Sequence, residues 1–132
     1  MRLAPFVAAL VFICLSLTGA DRNPYLKLRQ RIKDGKIQFA IQNASGKPIV
    51  AYVVAVEYTS QDGSQSKTVH YGVHSGKDRF VAGRTLQVAE LEAKRVSGEP
   101  TILVDYVRLA DGTTWGDHVT DEGKEVAARF MK

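Results

Sequence analysis

The sequence predicts an all-β fold, an immunoglobulin-like antiparallel β-sandwich of about seven strands. Three Asp-Gly pairs punctuate the chain: Asp34-Gly35, Asp62-Gly63 and Asp111-Gly112. Tight hairpin loops need positive φ angles, which Asp and Gly tolerate, so each pair predicts a hairpin between the segments on either side. Those segments are short, have strand character, and are not separated by helical patterns. A small closed barrel is the alternative way to arrange the same strands.

Seven strands are predicted between the turn signals, at residues 25–33, 36–43, 49–59, 66–74, 84–91, 101–109 and 113–116. The first two alternate apolar with polar residues, so each is expected to have one face in water. The third is apolar on both faces at its start, which indicates a central strand or one that crosses between sheets. Beyond the Asp-Gly pairs, further turns are predicted at residues 44–48, 75–76 and 97–100.

The last part of the chain, residues 119–132, is predicted to form a short helix or a tail. Either Thr120 or Asp121 is placed to cap the helix, and acidic residues precede basic ones, as the helix dipole favours. Just before this segment, we expect Trp115 to close one end of the core together with Tyr106. The alternative for these two aromatic residues is an exposed recognition patch.

The first 20 residues have the layout of a secretory signal peptide. A basic start is followed by an apolar run over residues 3–17 and then by the small-residue exit Thr18-Gly19-Ala20. The run has 15 residues, fewer than the about 20 that span a membrane, so cleavage is favoured over an uncleaved anchor. Cleavage leaves a single domain, residues 21–132, without a transmembrane segment, and it removes the only cysteine, Cys14.

An exported domain without disulfides is typical of the bacterial envelope, so we expect a periplasmic or secreted bacterial protein. No thiolate metal site and no cysteine nucleophile can form in the cysteine-free part of the chain. The formal net charge of +4 is concentrated in residues 22–36, where six basic side chains face Asp34 alone, for a local net charge of +5. Because the rest of the domain is not basic and the location is outside the cytoplasm, nucleic acid is not an expected partner.

Two parts of the chain resemble known bacterial domains. The order IQFAIQN at 37–43, ASGKPI at 44–49, VAVEY at 54–58 and then Asp62-Gly63 is similar to that of FxLYD-type and related immunoglobulin-like domains of envelope proteins. The segment 104–116 resembles a hairpin of small exported bacterial proteins of unknown role. The Phe-x-Leu-Tyr-Asp string itself does not occur in the sequence. The resemblance implies a non-catalytic sandwich domain and transfers no functional residues.

Three histidines are the candidate metal ligands: His70, His74 and His118. The first two share a strand face, and at about 3.3 Å per residue they lie about 13 Å apart, too far for one zinc ion. We therefore expect both on the wet face of the sheet. His118 beside Asp117 suits acid–base chemistry, but no nucleophile motif accompanies the pair. A metal-binding envelope protein that uses all three histidines is the alternative function.

The first strand carries four basic residues at alternate positions: Lys27, Arg29, Arg31 and Lys33. One interpretation is contact with anionic lipid or with a polyanionic envelope polymer. The other is that charges on an edge strand prevent its pairing with another chain, and we favour this protective role.

Two polar positions stand out in segments that are otherwise structural. Asp105 lies within an apolar strand and is expected to face solvent, or to pair with Arg108 or with a neighbouring strand. Asn43-Ala44-Ser45 matches the N-glycosylation pattern, but the turn in which it lies is the better explanation. The sequence thus predicts a small exported domain that binds another envelope protein or polymer, without catalysis and without a cofactor.

Overall fold

The computed structural model describes residues 23–74 and 79–130, which form two antiparallel β-sheets packed face to face. The strands are β1 (Leu26–Lys33), β2 (Lys36–Asn43), β3 (Ile49–Ser60), β4 (Gln65–Val73), β5 (Thr85–Glu92), β6 (Val96–Leu109) and β7 (Thr114–Trp115). Within these ranges a helix, α1, spans Asp121–Ala128, and a 3-10 turn covers Ala93–Arg95. The prediction of an all-β sandwich of seven strands with a short C-terminal helix is confirmed. The predicted signal peptide and the predicted turn at Ser75-Gly76 lie outside the described residues.

The strand order is β1-β2-β5 in the first sheet and β4-β3-β6-β7 in the second. β1 is therefore an edge strand, whereas β3 is central. The two sheets have no strand in common, so the arrangement is an open sandwich and not the closed barrel. No helix in the described ranges has the length and apolar character that crossing a membrane requires.

The three Asp-Gly pairs connect antiparallel strands, as predicted, but with two different geometries. Asp34 and Gly35 have φ angles of 53° and 75° and form a two-residue loop that pairs the two flanking lysines. The other two pairs lie in longer loops, at residues 61–64 and 110–113. In both longer loops the Asp carboxylate accepts the backbone N–H two residues further on, at 2.9 Å. This side-chain turn holds the longer loop closed.

β6 begins at Val96, earlier than predicted, and it includes residues 97–100, so the prediction of a separate turn there is wrong. The register of β6 against β3 shifts in this segment, and Gly98 has a φ angle of 79°. An irregular bulge accommodates both Gly98 and Pro100, because the ladder is interrupted where Pro lacks its N–H. The turn-forming residues here mark a bulge within a long strand.

The core between the sheets is built from the inward-facing residues of β2 and β3. Phe39 and Ile41 of β2 are fully buried, and so are Val54 and Val56 of β3. Other buried residues of this interior are Leu26, Ile37, Ile49, Phe80, Val104, Val107 and Leu109. The period-two alternation of β2 is thereby explained, because its other face points outward.

A second apolar layer lies on the outer face of the four-stranded sheet, beneath α1. Val126 of the helix packs against Ala51, Val53 and Tyr106. β3 is thus buried on both faces, as its apolar sequence predicts for a central strand. Tyr106 is buried under the helix and not at the end of the inter-sheet core, which corrects the expectation, while Trp115 is half-buried against that core.

The prediction of a wet histidine face on β4 is wrong. His70 lies opposite Val54, and directly opposite residues of an antiparallel pair project from the same face, so His70 faces the interior. On the same face Gly72 leaves room for the Tyr52 ring, since a Cβ there would lie 2.6 Å from a ring carbon. His74 stacks on Tyr52 with ring centroids 5.7 Å apart. The apolar residues of β4 face outward instead, on the side of the sheet that α1 covers.

Candidate binding surface

β1 exposes a row of four basic side chains on the outer face of its sheet. Lys27, Arg29, Arg31 and Lys33 lie at alternate positions and are all exposed. The even-numbered positions of β1 project from the opposite face, towards the other sheet. Leu26, on that inner face, is 5% exposed. Same-face residues of a strand are about 6.6 Å apart, so the row extends over about 20 Å. These four residues are called the basic row below.

Two glutamines of β2 hold the arginines of the basic row in place. Arg29 donates to Oε1 of Gln42 at 3.0 Å, and Arg31 donates through Nε to Oε1 of Gln38 at 2.9 Å. Gln38 in turn donates to Glu90 of β5 at 3.0 Å. A guanidinium group has five N–H donors, and each arginine uses one in these bonds. The glutamine ladder therefore orients the arginines and leaves donors for a partner.

The acidic side chains of this sheet lie on β5, the strand farthest from the basic row. Glu90 is 3.6 Å from Lys36 of β2. The hydrogen bond from Gln38 and, to a smaller extent, the charge of Lys36 hold the pKa of Glu90 below its usual range. The ion pairs found in the described ranges join residues outside the basic row. The charge of the row is thus not neutralised by a direct ion pair with the described residues.

The free edge of β1 presents backbone groups beside the basic row. The two-residue loop that follows closes with a bond between Lys33 and Lys36, so the odd-numbered residues of β1 form the hydrogen-bonded pairs with β2. The N–H and C=O groups of Leu28, Gln30 and Ile32 therefore point away from the sheet. The Ile32 residue is also 62% exposed. Among the described residues this edge has no strand partner, and it combines outward-pointing backbone groups with a cationic face and an exposed aliphatic side chain.

Asp105, the one unusual acidic residue of the sequence, is buried and serves the fold. It occupies a bulge of β6 against β3. One carboxylate oxygen accepts the N–H of Val119 at 2.8 Å, and the other accepts the N–H and the hydroxyl of Thr120 at 3.1 and 2.6 Å. The expectation that Asp105 faces solvent, or pairs with Arg108 or with a neighbouring strand, is wrong, because its partners lie in the loop before α1.

A groove of about 370 Å³ lies beside Asp105 on the outer face of the four-stranded sheet. Ala55 lines its floor, and its charged lining residues include Glu57, Lys67 and Asp117, all exposed. These charges are of both signs and come from separate strands and a loop. They form no row comparable to the one on β1.

Asn43 stabilises the turn between β2 and β3, as its sequence context predicts. Asn43 is buried, with 1% of the residue exposed. Nδ2 donates to the carbonyl oxygens of Lys47 and Phe80 at 2.7 and 2.8 Å, and Oδ1 accepts the N–H and the hydroxyl of Ser45. A glycan on Nδ2 is incompatible with this buried position, so the turn explains the pattern.

The three histidines do not come together in space. His70 of β4 faces the sandwich interior, and so does His74, which follows β4 and stacks on Tyr52. His118 instead packs edge-to-face on Tyr106 at 5.9 Å, on the helix side of the same sheet. Nε2 of His70 is hydrogen bonded to Oγ1 of Thr68 at 3.0 Å, and burial lowers the pKa of His70. In the described part of the chain, no group of three or more His, Cys, Asp or Glu side chains is arranged to hold a metal ion.

The sequence predicts the basic row but not the glutamine ladder behind it. The signal for the ladder lies in the register, since the loop at Asp34-Gly35 places Arg31 directly opposite Gln38. No family model, no curated protein and no solved structure matches the chain. A function is therefore inferred from the chain's own residues, among which the basic row is the clearest candidate.

Proposed function

We propose that the protein is a non-catalytic binding domain of the cell envelope and that the basic row is its contact surface. The observation that carries this proposal is a row of four exposed cations on an edge strand. Glutamines orient its two arginines, and none of the four cations is paired with a described acidic residue. Such a row attracts a partner that carries several regularly spaced anionic groups. Electrostatic complementarity of this kind acts mainly on specificity and on the rate of association.

The use of the buried polar side chains supports binding rather than catalysis. In the described ranges the buried polar residues are Asn43, Asp105 and Thr120. Each of them is hydrogen bonded to the backbone of a turn, of the loop before α1 or of α1 itself. A general acid or base must reach a substrate within hydrogen-bond distance, whereas these three groups are occupied by the fold. Hydrolysis of generic ester, peptide or glycoside substrates above the uncatalysed rate would contradict this part of the proposal.

The envelope location is proposed from the layout of the first 20 residues. A periplasmic or secreted bacterial protein encounters other envelope proteins and anionic polymers, which are the partners we expect. Expression in a bacterial host followed by mass spectrometry of the exported fraction tests this location. A chain that begins at Asp21 is the expected product. Recovery of the intact chain only from the cytoplasm would contradict it.

The basic row is tested with poly-L-glutamate as the anionic probe. For the variant Lys27→Gln/Arg29→Gln/Arg31→Gln we expect the affinity to fall about tenfold or more, because the loss of three adjacent cations removes most of the attraction. The affinity of the parent protein is expected to fall steeply between about 50 mM and 500 mM salt, since exposed charges are screened. Fluorescence polarisation with a labelled probe measures both effects.

A matched control removes the same number of positive charges from the opposite side of the sandwich. The variant Lys67→Gln/Lys124→Gln/Arg129→Gln changes three exposed residues of β4 and of the C-terminal helical region. We expect it to bind within about twofold of the parent, because these charges lie far from β1 compared with the screening length. If the two triple variants lost affinity equally, the interaction would depend on net charge alone and the proposal would be overturned.

A further inference from the structure

We infer that the free edge of β1 binds an extended segment of a partner protein as an additional strand in which acidic and aliphatic residues alternate. This inference rests on the proposed function, since the basic row supplies the charge that the segment meets. Strand addition supplies main-chain hydrogen bonds, which neither a lipid surface nor an anionic polymer without a peptide backbone forms with a strand edge.

The backbone of β1 offers one side of a strand ladder. The N–H and C=O groups of Leu28, Gln30 and Ile32 point away from β2, and in the described ranges β1 pairs with β2 alone. Three residues with both groups outward provide about six hydrogen bonds to an added strand. Main-chain bonds of this kind give affinity, while the side chains at alternate positions select the sequence.

The two faces of β1 define which side chains the added strand carries. On the outer face the residues of the added strand lie beside the basic row, where an Asp or Glu of that strand forms cross-strand ion pairs. On the other face they lie beside Leu28, which is half-buried, and Ile32, which is 62% exposed. An aliphatic residue at that position covers Ile32 and removes apolar surface from water. A segment with acidic residues at every second position and aliphatic residues between them complements both faces.

A second copy of this chain is a poor occupant of the same edge. Antiparallel pairing of two β1 strands places one basic row directly beside the other. Like charges opposite each other destabilise a strand pair, so self-pairing is disfavoured. The charges that protect the edge from another copy of the chain are therefore also those that select an acidic partner.

A proline at position 30 separates strand addition from simple charge attraction. The N–H of Gln30 points away from β2, so Gln30→Pro removes a hydrogen bond to the added strand without removing one from the sheet. Proline is accepted on an edge strand when its N–H side faces solvent. The basic row keeps all of its charges. Gln30→Thr is the matched control, because it keeps the N–H and favours a strand.

The probe is a nine-residue peptide in which Glu alternates with Val, compared with a peptide of the same composition in which the Glu residues are contiguous. We expect the parent to bind the alternating peptide about tenfold more tightly than the contiguous one. Gln30→Pro should weaken binding of the alternating peptide about tenfold, whereas Gln30→Thr should bind this peptide within about twofold of the parent. The affinity of Gln30→Pro for inorganic polyphosphate, an anionic polymer without amide groups, should stay within about twofold of that of the parent. Amide hydrogen exchange of Leu28 and Ile32 should slow when the alternating peptide is bound.

Equal affinity for the two peptides, or equal binding by Gln30→Pro and Gln30→Thr, overturns strand addition and leaves the basic row as a contact for anionic polymer or lipid. If instead Lys27→Gln/Arg29→Gln/Arg31→Gln binds poly-L-glutamate as the parent does, the proposed function itself fails. Should Gln30→Pro not fold, an alternating peptide N-methylated at every second amide replaces it. Each of the two alternate sets of amides is methylated in a separate peptide, and unchanged affinity for both peptides overturns strand addition.

Discussion

The Thr120 hydroxyl donates to the Asp105 carboxylate at 2.6 Å, and the same hydroxyl oxygen accepts the N–H of Gly123 at 2.8 Å. Thr120 is thus both the N-cap of α1 and the link between the helix and β6. A cap satisfies one of the N–H groups that the first helical turn leaves unpaired. Here the cap is itself fixed by a buried carboxylate in a β-bulge, so these contacts set the position of α1 on the sheet.

Replacement of Asp105 by alanine should destabilise the protein by about 3 kcal/mol, because two backbone N–H groups and one hydroxyl lose a charged acceptor in a buried site. Urea unfolding followed by the fluorescence of the single tryptophan, Trp115, measures the free energy of unfolding. The control is Asp117→Ala, at an exposed carboxylate nearby, which should change the stability by less than about 0.5 kcal/mol. Equal effects of the two substitutions would contradict the structural role of Asp105.

Gly123→Ala should destabilise the protein although alanine is the better helix former by about 1 kcal/mol. An added Cβ would overlap Oδ2 of Asp105 and lie 2.9 Å from Oγ1 of Thr120. We expect a net loss of about 1 kcal/mol or more, measured by urea unfolding. Lys124→Ala, at an exposed position of the same helix, is the control and should change the stability by less than about 0.5 kcal/mol. A gain in stability for Gly123→Ala would refute the close contact.

The strands could be predicted well because their signals are local. Asp34-Gly35 forms the expected two-residue loop, since its φ angles suit both residues and the flanking segments alternate. At residues 97–100 the turn-forming residues Gly98 and Pro100 mark a bulge instead. Whether the chain reverses at these residues depends on how far β3 extends beside β6. Local sequence does not predict this long-range pairing.

The basic row could also be predicted, because alternation alone places its members on one face. Which face of β4 is buried could not be predicted, since alternation shows that the two faces differ but not which one packs against the core. α1 covers the outer face of the sheet, so Val69 packs outward while His70 faces inward. The role of Asp105 was hidden for the same reason, because its partners come from the loop before the helix.

The inward position of His70 predicts a pH-dependent stability. Burial lowers the pKa of His70, so the folded state favours the neutral ring. Its contribution to stability is therefore complete above the unfolded pKa of about 6.5 and is lost as the pH falls through that value towards the lower folded pKa. In His70→Gln the stability should decrease less between about pH 7.5 and pH 5 than in the parent. A ring titration midpoint above about 6.5, observed by NMR, would contradict the inward placement.

The contact between Lys47 and Asp111 predicts a carboxyl titration that shifts when Lys47 is replaced. Nζ of Lys47 lies 2.7 Å from Oδ2 of Asp111, and this hydrogen bond, followed by those from Thr113, holds the pKa of Asp111 well below its usual range. A depressed carboxyl pKa contributes stability above about pH 4 that is lost as the pH falls through the folded pKa. In Lys47→Gln, carbon-detected NMR should show the Asp111 midpoint about one pH unit higher or more. Lys124→Gln should leave that midpoint unchanged, and an equal shift in both variants would assign the effect to net charge.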